Sequence, residues 1–289
     1  MQIYIDGEFH SRETAKVSVF DHGLLYGDGV FEGIRVYNRR IFRHDAHLDR
    51  LYMSAQALAL KIPLTLPDMR SAVEETVRRN QRDDVYIRLI VTRGVGELGI
   101  DPLSCPQPSV IVIVNDVRVY PRELYAGGIT VMTSATRQVS HEAVDPRIKS
   151  LNYLKNILAK IDAQQAGAHE AIMLNPEGFI AECTADNLFL VSKGQLLTPS
   201  PQDGALGGIT RGVILELAAE ARIPAAEARL TRYDLYTADE AFVSGTGAEL
   251  MPVSIADGRA IGDGTPGPIT RRLTEVFHAL VRNEGNPLW

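Results

Sequence analysis

The feature that most constrains the fold is an alternation of strand-like and helix-periodic runs that continues through both halves of the chain. In the first half, the runs VYIRLIVTR and SVIVIVNDV are rich in residues that favour strands, whereas AHLDRLYMSAQALALKI places apolar residues at helical spacing. In the second half, ITVMTSATR and EAIMLNPEGFIAE are strand-like, and ITRGVILELAAEA and PITRRLTEVFHALVRN are helix-like. The mixture predicts a fold of the α/β (α+β mixed) class.

Local signals place several further elements. The opening run MQIYIDGEF predicts a hairpin that turns at Asp6-Gly7, and a proline followed by Asp68 in the first turn predicts a helix over 67–80. Two extended runs are expected on either side of a glycine-rich loop at 26–29. Residues 150–167 predict a helix that begins at Ser150. The apolar face expected for that helix consists of Leu151, Leu154, Leu158 and Ile161.

The length and composition allow two domains. The chain has 289 residues, of which 45% are hydrophobic, and this is enough to bury two medium-sized cores. Residues 120–128 contain Pro121 and a Gly-Gly pair and form the best candidate for an interdomain linker. The expected organisation is therefore a small N-terminal domain over 1–119 and a larger C-terminal domain over 129–289, with a site in the cleft between them.

Charge and hydropathy argue against several classes of partner. The 30 basic and 36 acidic residues give a net charge of −6 without long runs of one sign, so we expect no binding to nucleic acid or to a membrane. No apolar stretch reaches the roughly 20 residues that cross a bilayer, and MQIYIDGEFH does not resemble a signal peptide, so a cytoplasmic protein is predicted. Cys105, Cys183, His44 and His47 form no ligand set, so no metal is expected, and the two histidines are interpreted as surface or cap residues.

Three glycine-bearing segments bear on ligand binding. GVGELG at 94–99 matches a dinucleotide-binding pattern, but the prolines after it predict an irregular loop where that pattern needs a helix. GALGGIT at 204–210 leads straight into a helix, whose N-terminal N–H groups favour an anion, and SGTGA at 244–248 follows a strand. Each of the latter two is either a tight turn or part of a phosphate cradle, and together they indicate a phosphorylated small molecule.

Lysine is scarce, which shortens the list of candidates for covalent catalysis. Lys155 and Lys160 lie within the predicted helix and are expected to be solvated charges. Lys149 ends the extended run DPRIK directly before that helix, where a side chain can be held in place as a Schiff-base lysine requires. On spacing alone a surface lysine is the default interpretation, just as a solvent-facing role is for Arg50 and a water-facing strand end is for Glu182.

Several segments, in this order along nearly the whole chain, resemble the class IV aminotransferases. This family of fold type IV includes the branched-chain and D-amino-acid transaminases and aminodeoxychorismate lyase. Several independent motifs in the right order are far more specific than any one of them. The matching segments are YGDGVFEGIR at 26–35, HLDRL at 47–51, YIRLIVTRG at 86–94, RIKSLNYL at 147–154, IAECTADNLF at 180–189, GGITR at 207–211 and SGTGAE at 244–249.

The resemblance implies a pyridoxal 5'-phosphate cofactor. It implies that Lys149 forms the internal aldimine and moves the proton between the substrate Cα and cofactor C4′, that Glu182 pairs with the pyridine nitrogen, and that Tyr153 lies near the phenolic oxygen. A protonated pyridine withdraws the electrons released when the Cα proton leaves. The implied phosphate-binding residues are Arg50, Ile209, Thr210 and Thr246, and Gly208 is a further implied cofactor-binding residue.

The resemblance also implies a reaction and a set of substrate-binding residues. The expected reaction is ping-pong transfer of the amino group of branched-chain L-amino acids (leucine, isoleucine and valine) to 2-oxoglutarate. Tyr86 and Arg88 resemble the family's carboxylate-binding Tyr-x-Arg, and the loop at 94–100 lacks the Arg-x-His of D-amino-acid transaminases. The implied substrate-binding residues are Tyr26, Phe31, Gly33, Tyr86, Arg88, Gly247 and Ala248.

Two positions depart from the family pattern, and alternative reactions stay open. Gly207 stands where proline is common and Gly247 where alanine is common, which leaves the shape of the carboxylate site open. The alternatives are D-amino-acid or (R)-amine transamination, the aminodeoxychorismate lyase reaction, and a non-catalytic cofactor-binding protein. Family members bring the loop at 94–100 from a neighbouring subunit, which implies a homodimer or a larger assembly of dimers.

Overall fold

The computed structural model describes residues 1–116, 120–285 and 287–289, and these fall into two compact units. Unit 1 takes in the described residues of Met1–Val117, Ile148–Asn152 and Val281–Trp289, and unit 2 those of Arg118–Arg147 and Tyr153–Leu280. Each unit contains both strands and helices, which confirms the predicted mixed class. The predicted continuous domains and linker stay a prediction, and the predicted end of the first domain at residue 119 lies outside the described residues.

Unit 1 is built on one antiparallel sheet. Its elements in chain order are β1 (Ile3–Ile5), β2 (Glu8–His10), α1 (His22–Tyr26), β3 (Gly29–Tyr37), β4 (Arg40–Ile41), α2 (His44–Ala57), α3 (Leu66–Asn80), β5 (Val85–Thr92) and β6 (Ser109–Asn115). The strand order is β2-β1-β6-β5-β3-β4, and every neighbouring pair is antiparallel. Helices α2 and α3 pack on the sheet through a continuous apolar core.

The alternation of side chains along β5 separates the core of unit 1 from its other face. Val85, Ile87 and Leu89 are buried, whereas the intervening Tyr86 and Arg88 are only half-buried. Successive residues of a strand point to opposite faces of the sheet, so the polar and aromatic residues of β5 share the face away from the core.

The hairpin and the second helix confirm the local predictions, and the segment before β3 corrects one. Asp6 and Gly7 both have positive φ in the turn between β1 and β2. Helix α3 begins at Leu66, where Thr65 Oγ1 accepts a hydrogen bond from the N–H of Asp68. The expected extended run before residue 26 instead contains the short helix α1, because the Asp21 side chain caps it by accepting from Gly23 N.

Unit 2 is built on a mixed nine-stranded sheet. Its elements in chain order are α4 (Arg122–Gly127), β7 (Ile129–Thr133), α5 (Leu154–Gln165), β8 (Glu170–Leu174), β9 (Ile180–Cys183), β10 (Asn187–Ser192), β11 (Gln195–Thr198), α6 (Ile209–Glu220), β12 (Ala225–Glu227), α7 (Arg232–Tyr236), β13 (Glu240–Gly245), β14 (Glu249–Ala256), β15 (Arg259–Ala260) and α8 (Pro268–Val281). The order is β12-β11-β10-β13-β14-β7-β8-β9, with β15 paired to β14. The pairs β11–β12, β14–β7 and β7–β8 are parallel and the others are antiparallel.

Helix α5 departs from its prediction at both its start and its buried face. It begins at Leu154 rather than at Ser150, since Ser150 forms an antiparallel bridge with Val30 of unit 1. The buried positions are Asn156, Ala159 and Ala163. The apolar residues of the helix lie largely exposed, namely Leu154, Ile157, Leu158 and Ile161. The helical periodicity was visible in the sequence, but the small residues and not the large apolar ones pack on β8.

The loop at 94–99 follows the expectation. A short 3-10 turn over Pro102–Ser104 and irregular chain follow it, and no helix begins at the glycines. The structure therefore confirms that GVGELG is not placed as in a dinucleotide-binding fold.

Candidate functional site

Hydrogen bonds to both backbone groups of Lys149 hold this residue of unit 1 in place. Its carbonyl oxygen accepts from Phe31 N at 3.0 Å, its N–H donates to Ser54 Oγ at 3.2 Å, and Leu151 N donates to Gly29 O at 2.9 Å. The segment thus pairs with β3 in the manner of an added strand. The Lys149 ammonium lies 4.7 Å from the centre of the Phe31 ring. The backbone of a lysine on such a segment is fixed in position, which a Schiff-base lysine requires.

Arg50 on α2 belongs to a buried ion cluster. Its Nε donates to Glu32 Oε1 at 2.7 Å and its Nη2 to Oε2 at 2.8 Å, while His47 Nδ1 lies 2.7 Å from Oε2. Glu32 is fully buried, and only 14% of the Arg50 side chain is exposed. Such a bidentate pair fixes the plane of the guanidinium, which is the group best suited to bind a phosphate. The default interpretation of Arg50 as a solvent-facing residue is therefore wrong.

The electrostatics of this cluster keep Glu32 ionised. Burial raises the pKa of Glu32, but attraction to Arg50 and the hydrogen bonds from His47 and Arg50 outweigh it and bring the pKa to about 2. Burial lowers the pKa of His47, and it lowers that of His44, with help from Arg70 and His47, to about 4. Both histidines are buried, so their interpretation as ordinary surface or cap residues is wrong.

Four of the implied substrate-binding residues lie together on β3 and β5. The Arg88 guanidinium carbon lies 4.6 Å from the Phe31 ring centre and 5.5 Å from the Tyr86 ring centre. Gly33 is opposite Arg88 in the strand register, and a Cβ on Gly33 would collide with the Tyr86 hydroxyl. Burial raises the pKa of Tyr86, which leaves its hydroxyl neutral at physiological pH. The Phe31 ring thus lies next to both Arg88 and Lys149.

Tyr26 is placed at the end of α1 beside the loop that follows β5. Its hydroxyl accepts from Gly99 N at 2.9 Å, and its ring meets that of His22 edge-on at 5.0 Å. His22 in turn lies 2.9 Å from Glu97 O. The implied pocket residue therefore also holds the loop at 94–100.

Glu182 of unit 2 is a buried carboxylate with a fixed donor on each oxygen. Gln138 Nε2 lies 2.9 Å from Oε1, and Leu206 N lies 2.8 Å from Oε2. The residue is 8% exposed at the end region of β9, so the default interpretation of a water-facing strand end is wrong. Sequence reasoning did not identify Gln138, because a single glutamine in an irregular segment carries no periodic signal.

The two glycine segments of unit 2 are linked through Asn187. Asn187 pairs with Ser244 in the register of β10 and β13, and its Nδ2 donates to Leu206 O at 2.9 Å. A Cβ on Gly208 would collide with Asn187 Oδ1, so this position requires glycine. Gly208 stands at the N-cap of the 12-residue helix α6 without a capping side chain. The structure therefore brings together segments that the sequence only suggested as a pair.

These segments have the properties of an anion cradle. The first turn of α6 holds Ile209 and the buried Thr210, and helix N-termini attract anions. The Ser244 hydroxyl is buried and has no hydrogen-bond partner among the described residues. Thr246 and Gly247 follow at the half-buried end of β13, and the carbonyl of Ala248 accepts from Tyr125 Oη at 3.1 Å. An orphaned buried hydroxyl beside a helix N-terminus fits a phosphate.

Tyr153, the last of the implied cofactor-binding residues, lies at the start of α5, and two lysines of that helix correct an expectation. Tyr153 is half-buried at the N-cap, where its carbonyl accepts from Ile157 N at 3.0 Å. Burial lowers the pKa of Lys155, and Lys160 donates to the buried Glu170 at 3.0 Å. Neither lysine is simply a solvated charge, so that interpretation is wrong.

Among the described residues, no cluster of three or more His, Cys, Asp or Glu side chains is arranged to hold a metal ion. In the same residues, no helix combines the length and apolar character that crossing a membrane requires.

Each of three features by itself fits one group of a phosphorylated pyridine aldehyde. Lys149 of unit 1 fits the aldehyde, and within unit 2 the buried Glu182 fits the ring nitrogen and the helix-terminal cradle fits the phosphate. A model of the amino-transferase class IV family matches residues 29–256, and the chain belongs to this family. Class IV aminotransferases are pyridoxal-phosphate enzymes.

Individual relatives match over almost their whole length. A protein of Methanocaldococcus jannaschii is 49% identical over 96% of this chain and 95% of its own. The crystal structure of the Escherichia coli branched-chain amino acid aminotransferase superimposes with a TM-score of 0.95 at 35% identity, covering 100% of this chain and 97% of that one. The branched-chain amino acid aminotransferase of Thermobaculum terrenum in its PLP-bound form superimposes with a TM-score of 0.89 at 30% identity, covering 100% and 98%. The predicted family and fold are confirmed.

Proposed function

We propose that the chain is a pyridoxal-phosphate-dependent aminotransferase that moves the amino group of leucine, isoleucine or valine to 2-oxoglutarate. The observation that carries the proposal is the backbone pairing that fixes Lys149 beside Phe31. The branched-chain aminotransferases to which the chain is similar support the choice of substrate class.

Each proposed cofactor contact uses a residue whose surroundings are described above. Bound pyridoxal phosphate supplies the electron sink for cleavage at the substrate Cα. Lys149 would hold the cofactor and would move the proton between the substrate Cα and cofactor C4′. Glu182 would keep the pyridine nitrogen protonated, and Tyr153 would lie near the phenolic oxygen. The proposed phosphate-binding residues are Arg50, Gly208, Ile209, Thr210 and Thr246.

The substrate contacts are proposed on the same basis. Arg88 offers a positive charge to a substrate carboxylate, and the neutral hydroxyl of Tyr86 offers a donor. Phe31, Gly33 and Tyr26 supply an apolar wall, which favours a branched aliphatic side chain over a charged one. Gly247 and Ala248 supply small residues through which backbone groups remain accessible. Because amino acid and 2-oxo acid would use one site in turn, ping-pong kinetics are expected.

We also propose that the protein forms a homodimer or an assembly of dimers. Within unit 2, Leu154 is 68% exposed and Leu158 47% exposed on one side of α5. Within unit 1, Leu98, Ile100 and Leu103 are 71% to 89% exposed in the loop after β5. Contiguous exposed apolar side chains are typical of surfaces that another chain covers. The cytoplasmic location predicted from the sequence stays a prediction.

The absorbance spectrum of the purified protein with pyridoxal phosphate tests the proposed function. The band of the lysine-bound cofactor should convert to that of the amino form on addition of L-leucine and return on addition of 2-oxoglutarate. Conversion by D-alanine, an (R)-amine or aminodeoxychorismate but not by L-leucine would contradict the substrate class. If no cofactor binds, the chain is not the proposed enzyme.

A further inference from the structure

Gln138 lies directly behind the carboxylate that we assign to the pyridine nitrogen. Its side chain is 1% exposed, and its Nε2 donates to Glu182 Oε1 at 2.9 Å and to Gly204 O at 3.1 Å. The N–H of Leu206 donates to Glu182 Oε2 at 2.8 Å. Each oxygen of the carboxylate therefore accepts a hydrogen bond from one neutral donor.

The orientation of the Gln138 amide follows from its remaining partners. The carbonyl oxygen of Gly204 can only accept a hydrogen bond, and the N–H of Val139, 3.0 Å from Gln138 Oε1, can only donate one. A flipped amide would place two acceptors together at Gly204 and two donors together at Val139. The amide nitrogen must therefore face Glu182. The backbone N–H of Gln138 also bonds to Leu174 O at 2.9 Å, which fixes the root of the side chain.

Two titratable groups that respond to the charge of Glu182, Lys155 and Cys183, cannot replace this donor. On α5, burial lowers the pKa of Lys155 and the charge of Glu182 opposes that effect, while its Nζ bonds to Asn156 Oδ1 at 3.0 Å. On β9, burial raises the pKa of Cys183, followed by the negative charges of Glu170, Asp186 and Glu182, so the thiol stays protonated. Gln138 differs from both because its donor is present at every pH.

We propose that Gln138 is a positioning residue that holds Glu182 as an oriented anion and thereby keeps the shared proton on the pyridine nitrogen of the cofactor. The inference rests on the proposed function. A donor to a carboxylate oxygen lowers the proton affinity of that oxygen, so the proton between Glu182 and the pyridine nitrogen stays on the nitrogen. Without the Gln138 donor the proton moves towards Glu182, and the ring withdraws electrons less effectively.

The test uses Gln138→Met, which keeps the length of the side chain and removes both donors, and Gln138→Leu as a second variant. The control His141→Ala removes the contact of His141 with Gln202 O, which lies in the turn before Gly204, without touching Glu182. The first readout is the ¹⁵N NMR shift of the ring nitrogen in enzyme loaded with ¹⁵N-labelled pyridoxal phosphate, followed against pH. The second is the single-turnover rate with L-leucine, measured by stopped flow together with the L-leucine concentration at half-maximal rate.

The wild-type and His141→Ala enzymes should show a protonated ring nitrogen through neutral pH. The Gln138 variants should lower the pKa of that nitrogen by about one unit or more. They should slow the single turnover about tenfold or more, with little change in the concentration of L-leucine at half-maximal rate. A purely structural role of Gln138 would not move the nitrogen resonance in a variant that retains the wild-type circular dichroism.

A Glu182→Gln enzyme separates the two levels of the proposal. If Glu182→Gln moves the nitrogen resonance but folded Gln138→Met and Gln138→Leu do not, the role of Gln138 is wrong and the proposed function stands. If Glu182→Gln also leaves the resonance unchanged, or if no cofactor binds, the proposed role of Glu182 and this inference are both overturned. Should neither Gln138 variant fold, Gln138→Asn decides, since its shorter amide retracts the donor from Glu182 and should shift the resonance in the same direction.

Discussion

Replacing Glu32 by glutamine removes the central charge of the buried cluster in unit 1. The substitution keeps the shape of the side chain but leaves the Arg50 guanidinium without the carboxylate that now bonds to it at 2.7 and 2.8 Å. Glu32 is fully buried, so solvent does not screen the loss. The pKa of Glu32 falls from 4.5 to about 2, which corresponds to about 3 kcal/mol of stability at neutral pH.

The sign of the pH dependence follows from the lowered pKa. A carboxylate whose pKa is lowered on folding contributes its full stabilisation above about pH 4.5 and loses it as the pH falls towards about 2. The difference in unfolding free energy between wild type and Glu32→Gln should therefore be about 3 kcal/mol at neutral pH. At about pH 3.5 it should be smaller by about 1 kcal/mol, since the unfolded carboxylate is by then largely protonated.

Urea unfolding followed by tryptophan fluorescence measures this difference. The chain has a single tryptophan, Trp289, and this residue belongs to unit 1, so its fluorescence reports the unit that contains the cluster. The measurement is made without cofactor, because a change in cofactor affinity would add to the apparent stability. Glu75→Gln is the matched control, since Glu75 forms an exposed pair with Arg79 and should cost less than about 1 kcal/mol. A Glu32→Gln protein as stable as the control, or a difference that grows as the pH falls, would refute the reasoning.

Four further predictions follow from single residues. Lys149→Ala should abolish turnover and the absorbance of the lysine-bound cofactor, and borohydride reduction followed by peptide mass spectrometry should find the cofactor on Lys149 in the wild type only; normal turnover by the variant would contradict the assignment. Gly33→Ala should displace the Tyr86 ring and lower kcat/KM for L-leucine about tenfold or more in steady-state assays, because its Cβ would collide with the Tyr86 hydroxyl. Gly207→Ala should raise the free energy of unfolding by about 0.4–1 kcal/mol in denaturant titrations, because its Cβ would meet no atom within 4 Å and its φ is not positive; a loss of stability would contradict this. Leu158→Glu should shift the assembly towards monomer in light-scattering measurements if α5 is covered by a second copy, whereas an unchanged mass would exclude that face.

Elements that depend on local chemistry could be predicted from the sequence. The turn at Asp6-Gly7 and the helix after Thr65 are determined by residues within a few positions of each other, and both occur in the structure. Helix α5 shows what local sequence does not predict. Its apolar periodicity identified a face, but which face packs on β8 depends on residues far along the chain, and the alanine face does so.

The environment of the candidate site was harder to predict for the same reason. His47 and Arg50 stand three residues apart on α2, a spacing that could have indicated a shared partner, but Glu32 comes from a different element. The pairing of Lys149 with Phe31 is likewise non-local. The position of Lys149 before the predicted helix distinguished it from the other lysines, but only the family resemblance overturned the default of a surface lysine. Gln138 carried no signal at all in the sequence.

Two of the buried carboxylates, Glu32 and Glu182, have different hydrogen-bond donors, and the difference matches their proposed roles. Glu32 meets the guanidinium of Arg50 directly, so its charge is compensated by a permanent cation and its function is to hold that cation in place. Glu182 accepts from the side-chain amide of Gln138 and from the backbone N–H of Leu206, two neutral donors that orient the carboxylate. Neutral donors suit a carboxylate that acts on a ligand, because hydrogen bonds from them favour the ionised carboxylate. The ionised carboxylate then attracts a cationic ring nitrogen. Exchanging the two arrangements, with an arginine in place of Gln138, should therefore draw Glu182 into a permanent ion pair and weaken the binding of pyridoxal phosphate.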